Sequence, residues 1–449
     1  MSKIIKKILS FQKRKNGNIS ILVLIMSLAI ILLTTAMVRY IFHDIGFTEL
    51  DKDKLRALHF AESGLSDMYY KIEQYNKNGV ALPPESVPYI VDVPDPDPEG
   101  RFTVEYKTFD MGGIPGGYEI TSTGIDISSG AARTVSVETW YTDIYDFIFS
   151  GKASGAGEVI AGHTNITGPF FVSEILESKL SGNAYFKEGP LYVKGDINIG
   201  GNVSIGESAN PIILFLGGLF NGEPFDPEDP PSNVYVSDYH NIVIDIEFPT
   251  IDSSYINSVV ENLKALEIHG NLFIGNGIIK EDGEEIEGGY EDSLNSLKFE
   301  SGVLKIKGNI VVYGYIEINS KNPIEYSGNA NLISTEDITI EAKVRPEDMN
   351  NFPSPDLMVL ISQYNIDIYA KGGNYEEPDV AAMLIANDIV ETQSNNTFLR
   401  GSTVSRSLVL GQNTGIHYEA GIGEALTEGV PGLGETMKAT LSWQEIIAD

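Results

Sequence analysis

The chain has 449 residues, room for two or three domains, and its 42% apolar against 21% charged residues support folded cores over wholesale disorder. Its 63 acidic against 31 basic residues give a net charge of −32, which excludes nucleic-acid binding by the acidic bulk of the chain, because phosphate contacts need clustered Lys and Arg. There is no cysteine, so disulfides, thiolate metal sites and Cys nucleophiles are excluded.

The charge is segregated. Residues 1–43 hold Lys3, Lys6, Lys7, Lys13, Arg14, Lys15 and Arg39 and no acid, so every acidic residue lies beyond them. Between Ile19 and Val38 runs a stretch without charge, whose twelve Ile, Leu and Val residues favour membrane insertion by roughly 4–6 kcal/mol. As a helix it rises about 30 Å, one hydrocarbon thickness. Basic residues before the run put the N-terminus in the cytosol and the acidic bulk outside the cytoplasmic membrane. A cleaved secretory signal, a plain anchor and a retained, trimmed helix are the three readings of such a segment.

Beyond the run, Leu58, Ala61, Leu65, Met68 and Ile72 form one apolar stripe at helical spacing, opposite Asp51, Lys52, Asp53, Lys54, Lys71 and Glu73. Asn76-Lys77-Asn78-Gly79 ends the pattern. The order Lys13-Arg14-Lys15-Asn16-Gly17 before the apolar run resembles the class III leader of type IV pilin-like proteins. Ala57-Leu58-His59-Phe60-Ala61-Glu62-Ser63-Gly64-Leu65 resembles the PilX-type minor pilins. Leu22 stands where major pilins carry Glu, so the likeness is to the minor group. The resemblance implies cleavage between Gly17 and Asn18 by a prepilin peptidase. It further implies a half-membrane, half-soluble helix of about 85 Å that packs against other pilin-like subunits through Leu58, Ala61, Leu65, Met68 and Ile72. Glu62 is either a functional carboxylate or a solvated helix residue.

Leu82 to Gly100 is rich in Pro and Asp and reads as a loop; Asp95, Asp97 and Glu99 superficially suggest a calcium loop, but interleaved prolines favour a linker. Strands are expected at Arg101–Phe109, Gly117–Thr123 and Thr134–Tyr141, forming a small antiparallel sheet. The wording Tyr118-Glu119-Ile120-Thr121-Ser122-Thr123-Gly124 also resembles the PilX-type group.

From Ser150 the pattern changes. Leu191, Val193, Gly195, Ile197, Ile199, Gly201, Val203 and Ile205 occupy alternate positions, as do Leu304, Ile306, Gly308, Ile310, Val312, Gly314, Ile316 and Ile318. Period two marks half-buried strands, and glycine every six residues at inward sites suits a β-solenoid, with a β-sandwich as the alternative. Ile338–Ala342, Ile366–Ala370 and Leu384–Ile389 are further rungs, and a helix near 253–266 interrupts them. The stretch ending in Leu441-Ser442-Trp443-Gln444-Glu445-Ile446 resembles the β-helical C-terminal regions of some PilX-type proteins.

The expected fold is therefore mainly β: leader 1–17, transmembrane and pilin-like helix 18–76, small sheet 77–149, and acidic solenoid 150–449. The six histidines fall in no metal-binding spacing, and no nucleophile or phosphate-loop motif occurs. No catalytic residue, metal or cofactor is assigned. The acid runs Asp226-Glu228-Asp229 and Glu281-Asp282-Glu284-Glu285-Glu287 read as solvated loops or weak calcium ligands. The function expected is a non-enzymatic minor pilin-like subunit at a filament tip or in its initiation, presenting the acidic domain for adhesion or capping. The alternatives are an anchored surface adhesin outside any pilus, or an anchored carbohydrate-active enzyme.

Overall fold

Helix α1 (Ser2–Asn78) runs without interruption in the computed structural model, as a chain with no proline before Pro83 permits. The structure describes residues 2–78, 80–93, 99–111, 114–150, 163–173, 176–178, 183–199, 202–241, 248–433 and 436–446; within α1, side chains are described at 26, 27, 30, 32–40 and 50–76. The leader residues Gly17 and Asn18, and Ile19 with residues 20–25, 28, 29 and 31 of the run that follows it, therefore lie outside the described side chains, as do Asp95 and Asp97 in every respect.

The second half of α1 lies on a five-stranded antiparallel sheet: β1 (Tyr89–Val93), β2 (Gly100–Met111), β3 (Ile114–Asp126), β4 (Ala132–Asp143) and a closing strand, Thr436–Ile446. Two of these differ from the sequence reading. β1 falls in the stretch read as a loop, where Tyr89, Val91 and Val93 turn toward the helix. The closing strand pairs antiparallel with β4, Thr436 opposite Asp143. Residues 150–449 are thus not one separate unit, because the last strand returns to the small sheet. The large domain is inserted between two neighbouring strands.

That domain is a stack of short parallel strands. In register, one above another, stand Glu267, Val311, Ile333, Ile361, Ile385, Val404, Phe149, Phe171, Tyr192, Phe215 and His240. The spatial order is not the chain order. Residues 148–240 build the upper half from the middle of the stack outward. The chain then crosses to the opposite end, and residues 266–418 wind back to the middle. There Val404 pairs with Phe149, and Ile416 pairs with Ile166. The helix expected at 253–266 is α2 (Ser253–Leu263), capped by Asp252, whose carboxylate accepts from Tyr255 N–H at 2.9 Å. It does not interrupt adjacent rungs. It is part of the crossing, and Ile251, Ile256 and Val259 bury themselves on the outer side of the stack.

Both alternating runs lie in one buried interior with Leu191, Val193, Ile197, Ile306, Ile310 and Ile316. The glycines are placed differently from expectation. Gly195 occupies the corner between the three-residue strands 191–193 and 197–199, and Gly314 the corner between the strands 303–312 and 316–318. In the first run three residues of strand and three of corner make the six-residue period; in the second, Gly308 lies inside the strand 303–312. A Cβ on Gly314 would stand 2.9 Å from the Gly270 carbonyl oxygen of the adjacent rung, so the corners stack only if this position is bare. Gly201 lies outside the described residues.

Candidate functional surfaces

The predicted helix stripe is brought together, but not for another subunit. Ala61, Leu65, Met68 and Ile72 are buried, and Leu58 is partly so, against Phe102, Val104, Tyr118, Ile120, Val135 and Val137 of the molecule's own sheet. The Ala57–Leu65 string serves the same contact. A Cβ on Gly64 would stand 2.2 Å from Ser122 Oγ, and one on Gly124 would stand 2.1 Å from the Ala57 carbonyl oxygen. Small residues let helix and sheet backbones meet here, so the filament-packing role assigned to this stripe is corrected to an internal one. The outward face of α1 carries Leu55, His59, Glu62, Ser63, Ser66 and Tyr70. Glu62 is exposed and lies 3.1 Å from His59 Nδ1. Ser63 and Ser66 donate to carbonyls one turn back, which folds their hydroxyls onto the helix.

Toward its first half α1 rises clear of the sheet, and its described side chains there are exposed and mostly apolar. Met26, Ile30, Leu32, Leu33, Met37 and Tyr40 are each about 60–70% accessible and point in several directions around the axis. Among the described residues no helix is long and apolar enough to cross a membrane; Val38 belongs to this exposed stretch, while the side chain of Ile19 is not described.

Where the sheet meets the stack, the Trp140 indole lies parallel to Tyr192 at 5.5 Å, and Tyr192 stacks on Phe215 at 3.9 Å. Phe147 stands edge-on to both Trp140 and Tyr192. Burial drives the Tyr192 hydroxyl well above its ordinary pKa and pushes Tyr118, under α1, up to about 12. Lower down, a row of buried amides does the joining. Asn295 Nδ2 donates to the Lys264 carbonyl at the end of α2, Asn295 Oδ1 accepts from Asn309 N–H, and Asn331 Nδ2 donates to Asn309 Oδ1 and to the Glu428 carbonyl. Gly308, at φ +77°, makes room for the Asn295 side chain. Sequence reasoning passed over these asparagines, which carry no spacing that separates them from turn residues.

Carboxylates of the acidic loops accept from nearby backbone N–H groups. Asp226 Oδ1 accepts from Glu228 N–H, and Asp282 Oδ1 accepts from Asn271 N–H. The Asn295 side-chain amide and the N–H groups of Leu294 and Asn295 hold the Asp292 carboxyl below its usual range. Among the described residues no group of His, Asp and Glu is placed to hold a metal. One face of the stack is open. Between the inward pairs Ile316/Ile318, Ile338/Ile340 and Ile366/Ile368 stand Glu317, Thr339 and Asp367, continued by Glu391. Burial, and then the Asp367 carboxylate on the next rung, push Glu391 up.

No family model matches the chain, and no curated protein matches it. Among solved structures, the crystal structure of the competence-associated pilin ComZ from Thermus thermophilus is similar to it at 15% identity, with 88% of this chain and 98% of that chain covered and a TM-score of 0.45.

Proposed function

We propose that the chain is a non-enzymatic minor pilin-like subunit, held in the cytoplasmic membrane by Ile19–Val38 and built into a surface filament. In this reading a prepilin peptidase removes residues 1–17, the N-terminus faces the cytosol, and the acidic domain stands outside. One observation carries it: a single helix is clamped to a small antiparallel sheet along its second half and bares apolar side chains along its first. Exposed Met26, Ile30, Leu33 and Met37 have a place in lipid or among the helices of neighbouring subunits, and none in water. We read the parallel stack as a β-solenoid, on the strength of its in-register columns. A body of that bulk fits a tip or an initiating position better than the interior of a regular filament, and adhesion or capping is the role it would serve there.

Mass spectrometry of the membrane-extracted N-terminus tests the reading. The expected mature chain begins at Asn18, and Gly17→Ala retains the leader. A mature chain that starts elsewhere removes the filament reading and leaves an anchored surface adhesin.

A further inference from the structure

We propose that a cleft at the 266–281 end of the stack, together with the open face that continues it, binds a neutral polysaccharide chain. The inference goes beyond the filament reading and does not depend on it. The cleft encloses about 400 Å³ between the strands 272–275, 278–281 and 316–318, and Asn271, Phe273, Lys280, Asp282, Tyr315 and Glu317 line it. Phe273 stands in register with Glu317 on one side and with Lys280 on the other, and the Lys280 ammonium lies 5.8 Å from the Phe273 ring centre. The backbone around it is fixed. Asp282 accepts from Asn271 N–H at 2.9 Å, and Asn271 Oδ1 accepts from Tyr315 N–H at 3.2 Å. The mouth is therefore a rigid frame that presents one ammonium, two carboxylates, an amide and two aromatic rings.

From Glu317 the open face runs on through Thr339, Asp367 and Glu391, one outward side chain per rung. Tyr315, 42% exposed, and Tyr364, 48% exposed, flank this row at one corner. Ile316, Ile338 and Ile366 share a register position; Tyr315 precedes the first by one residue and Tyr364 the last by two, so the tyrosines stand two rungs apart along the stack and one residue apart across it. Two rungs span about 9–10 Å, close to the length of a disaccharide unit. The chemistry selects the ligand. Carboxylates in a row accept hydrogen bonds from hydroxyl groups and repel polyanions. Lys280 at the mouth opposes a polycation. Exposed rings offer flat apolar faces to the C–H sides of sugar rings, while their hydroxyls stay in water. A chain of hydroxyl-rich, uncharged rings satisfies all three.

The test uses the full-length chain in mild detergent and a panel of neutral hexasaccharides: the cello-, chito-, xylo-, manno-, malto- and laminari-series, with hexalysine and an oligouronate beside them. At least one neutral series is expected to bind, with its Kd raised about tenfold in Tyr315→Ala and in Tyr364→Ala. Both tyrosines are exposed, so the unfolding midpoint should not move. Glu317→Gln, which keeps the shape and removes a charge, serves as a third variant and should also weaken binding. Silence across the neutral panel overturns the proposal. So does hexalysine as the sole ligand, and so does neutral binding that all three variants retain. An N-terminus beginning elsewhere than Asn18 would leave the proposal standing.

Discussion

The upper and lower halves of the stack share one backbone register and differ in what they show to the outside. The column above the seam reads Phe171, Tyr192, Phe215 and His240. The column below it reads Val311, Ile333, Ile361, Ile385 and Val404. The strand geometry is the same, so the difference records the cover. Over the aromatic half lies the small sheet, whose Trp140 stacks flat on Tyr192. Over the aliphatic half lie α2 and residues 422–433, and the fit is one of branched side chains against Ile256, Val259, Ile422 and Val430. Flat rings suit a joint made by one large side chain from a sheet. Branched chains suit a helix, whose ridges need small knobs to settle between.

The comparison breaks most visibly at Tyr192. Tyr192→Ala removes a ring packed against Trp140, Phe147, Phe171 and Phe215, and should lower the unfolding free energy in urea by about 3–5 kcal/mol. The chain has two tryptophans, and Trp443 is already 54% exposed. A red shift of native emission in this variant would therefore report Trp140 losing its stack, and an unshifted spectrum would count against the aromatic joint. Ile333→Ala empties the aliphatic column and should cost roughly 2–4 kcal/mol while native emission stays unchanged. If the two variants behave alike, the halves are not distinct.

The smallest effect concerns acid. Asp126, near α1, accepts from the Ser128 hydroxyl and the N–H groups of Ser129 and Ser128, and is held below its usual range, as is Asp292 at the lower end of the stack. A carboxyl with a depressed folded pKa contributes stability above its unfolded value, about 3.9, and loses it as pH falls through the folded one. Both ends of the molecule should thus soften below about pH 4. Asp292→Asn should flatten the acid limb of a melting-temperature profile, and an acid limb that stays unchanged would remove Asp292 from it.

Much of the secondary structure is legible because it is local. Ile316, Ile338 and Ile366 announce strands whoever their neighbours are, since alternation needs only an inside and an outside. The helix stripe from Leu58 to Ile72 is equally plain. Partners are another matter. Val404 gives no sign that Phe149, some 250 residues earlier, lies beside it, because parallel register is set by packing over the whole stack and not by any turn. Ala57, Ala61 and Gly64 announce a close approach without saying to what, and the sheet claims it. The six-residue glycine period was readable, but its meaning was not: a corner and an inward site look alike until strand length is known. Of the open cleft, Asp282 stands out as part of an acid run, while Tyr315 and Asn271 are ordinary by type and acquire significance from adjacent rungs.

The paired attachment of the large domain has a mechanical consequence. The chain leaves the small sheet at Asp143 and re-enters it at Thr436, which faces Asp143 across the same ladder. Traction on the far end of the stack therefore arrives at one end of two adjoining strands at once. Tension divides between them and drags both lengthwise against the remaining ladder, where many hydrogen bonds resist together, instead of peeling one strand from its neighbour bond by bond. A cut in either link leaves the other to carry the load.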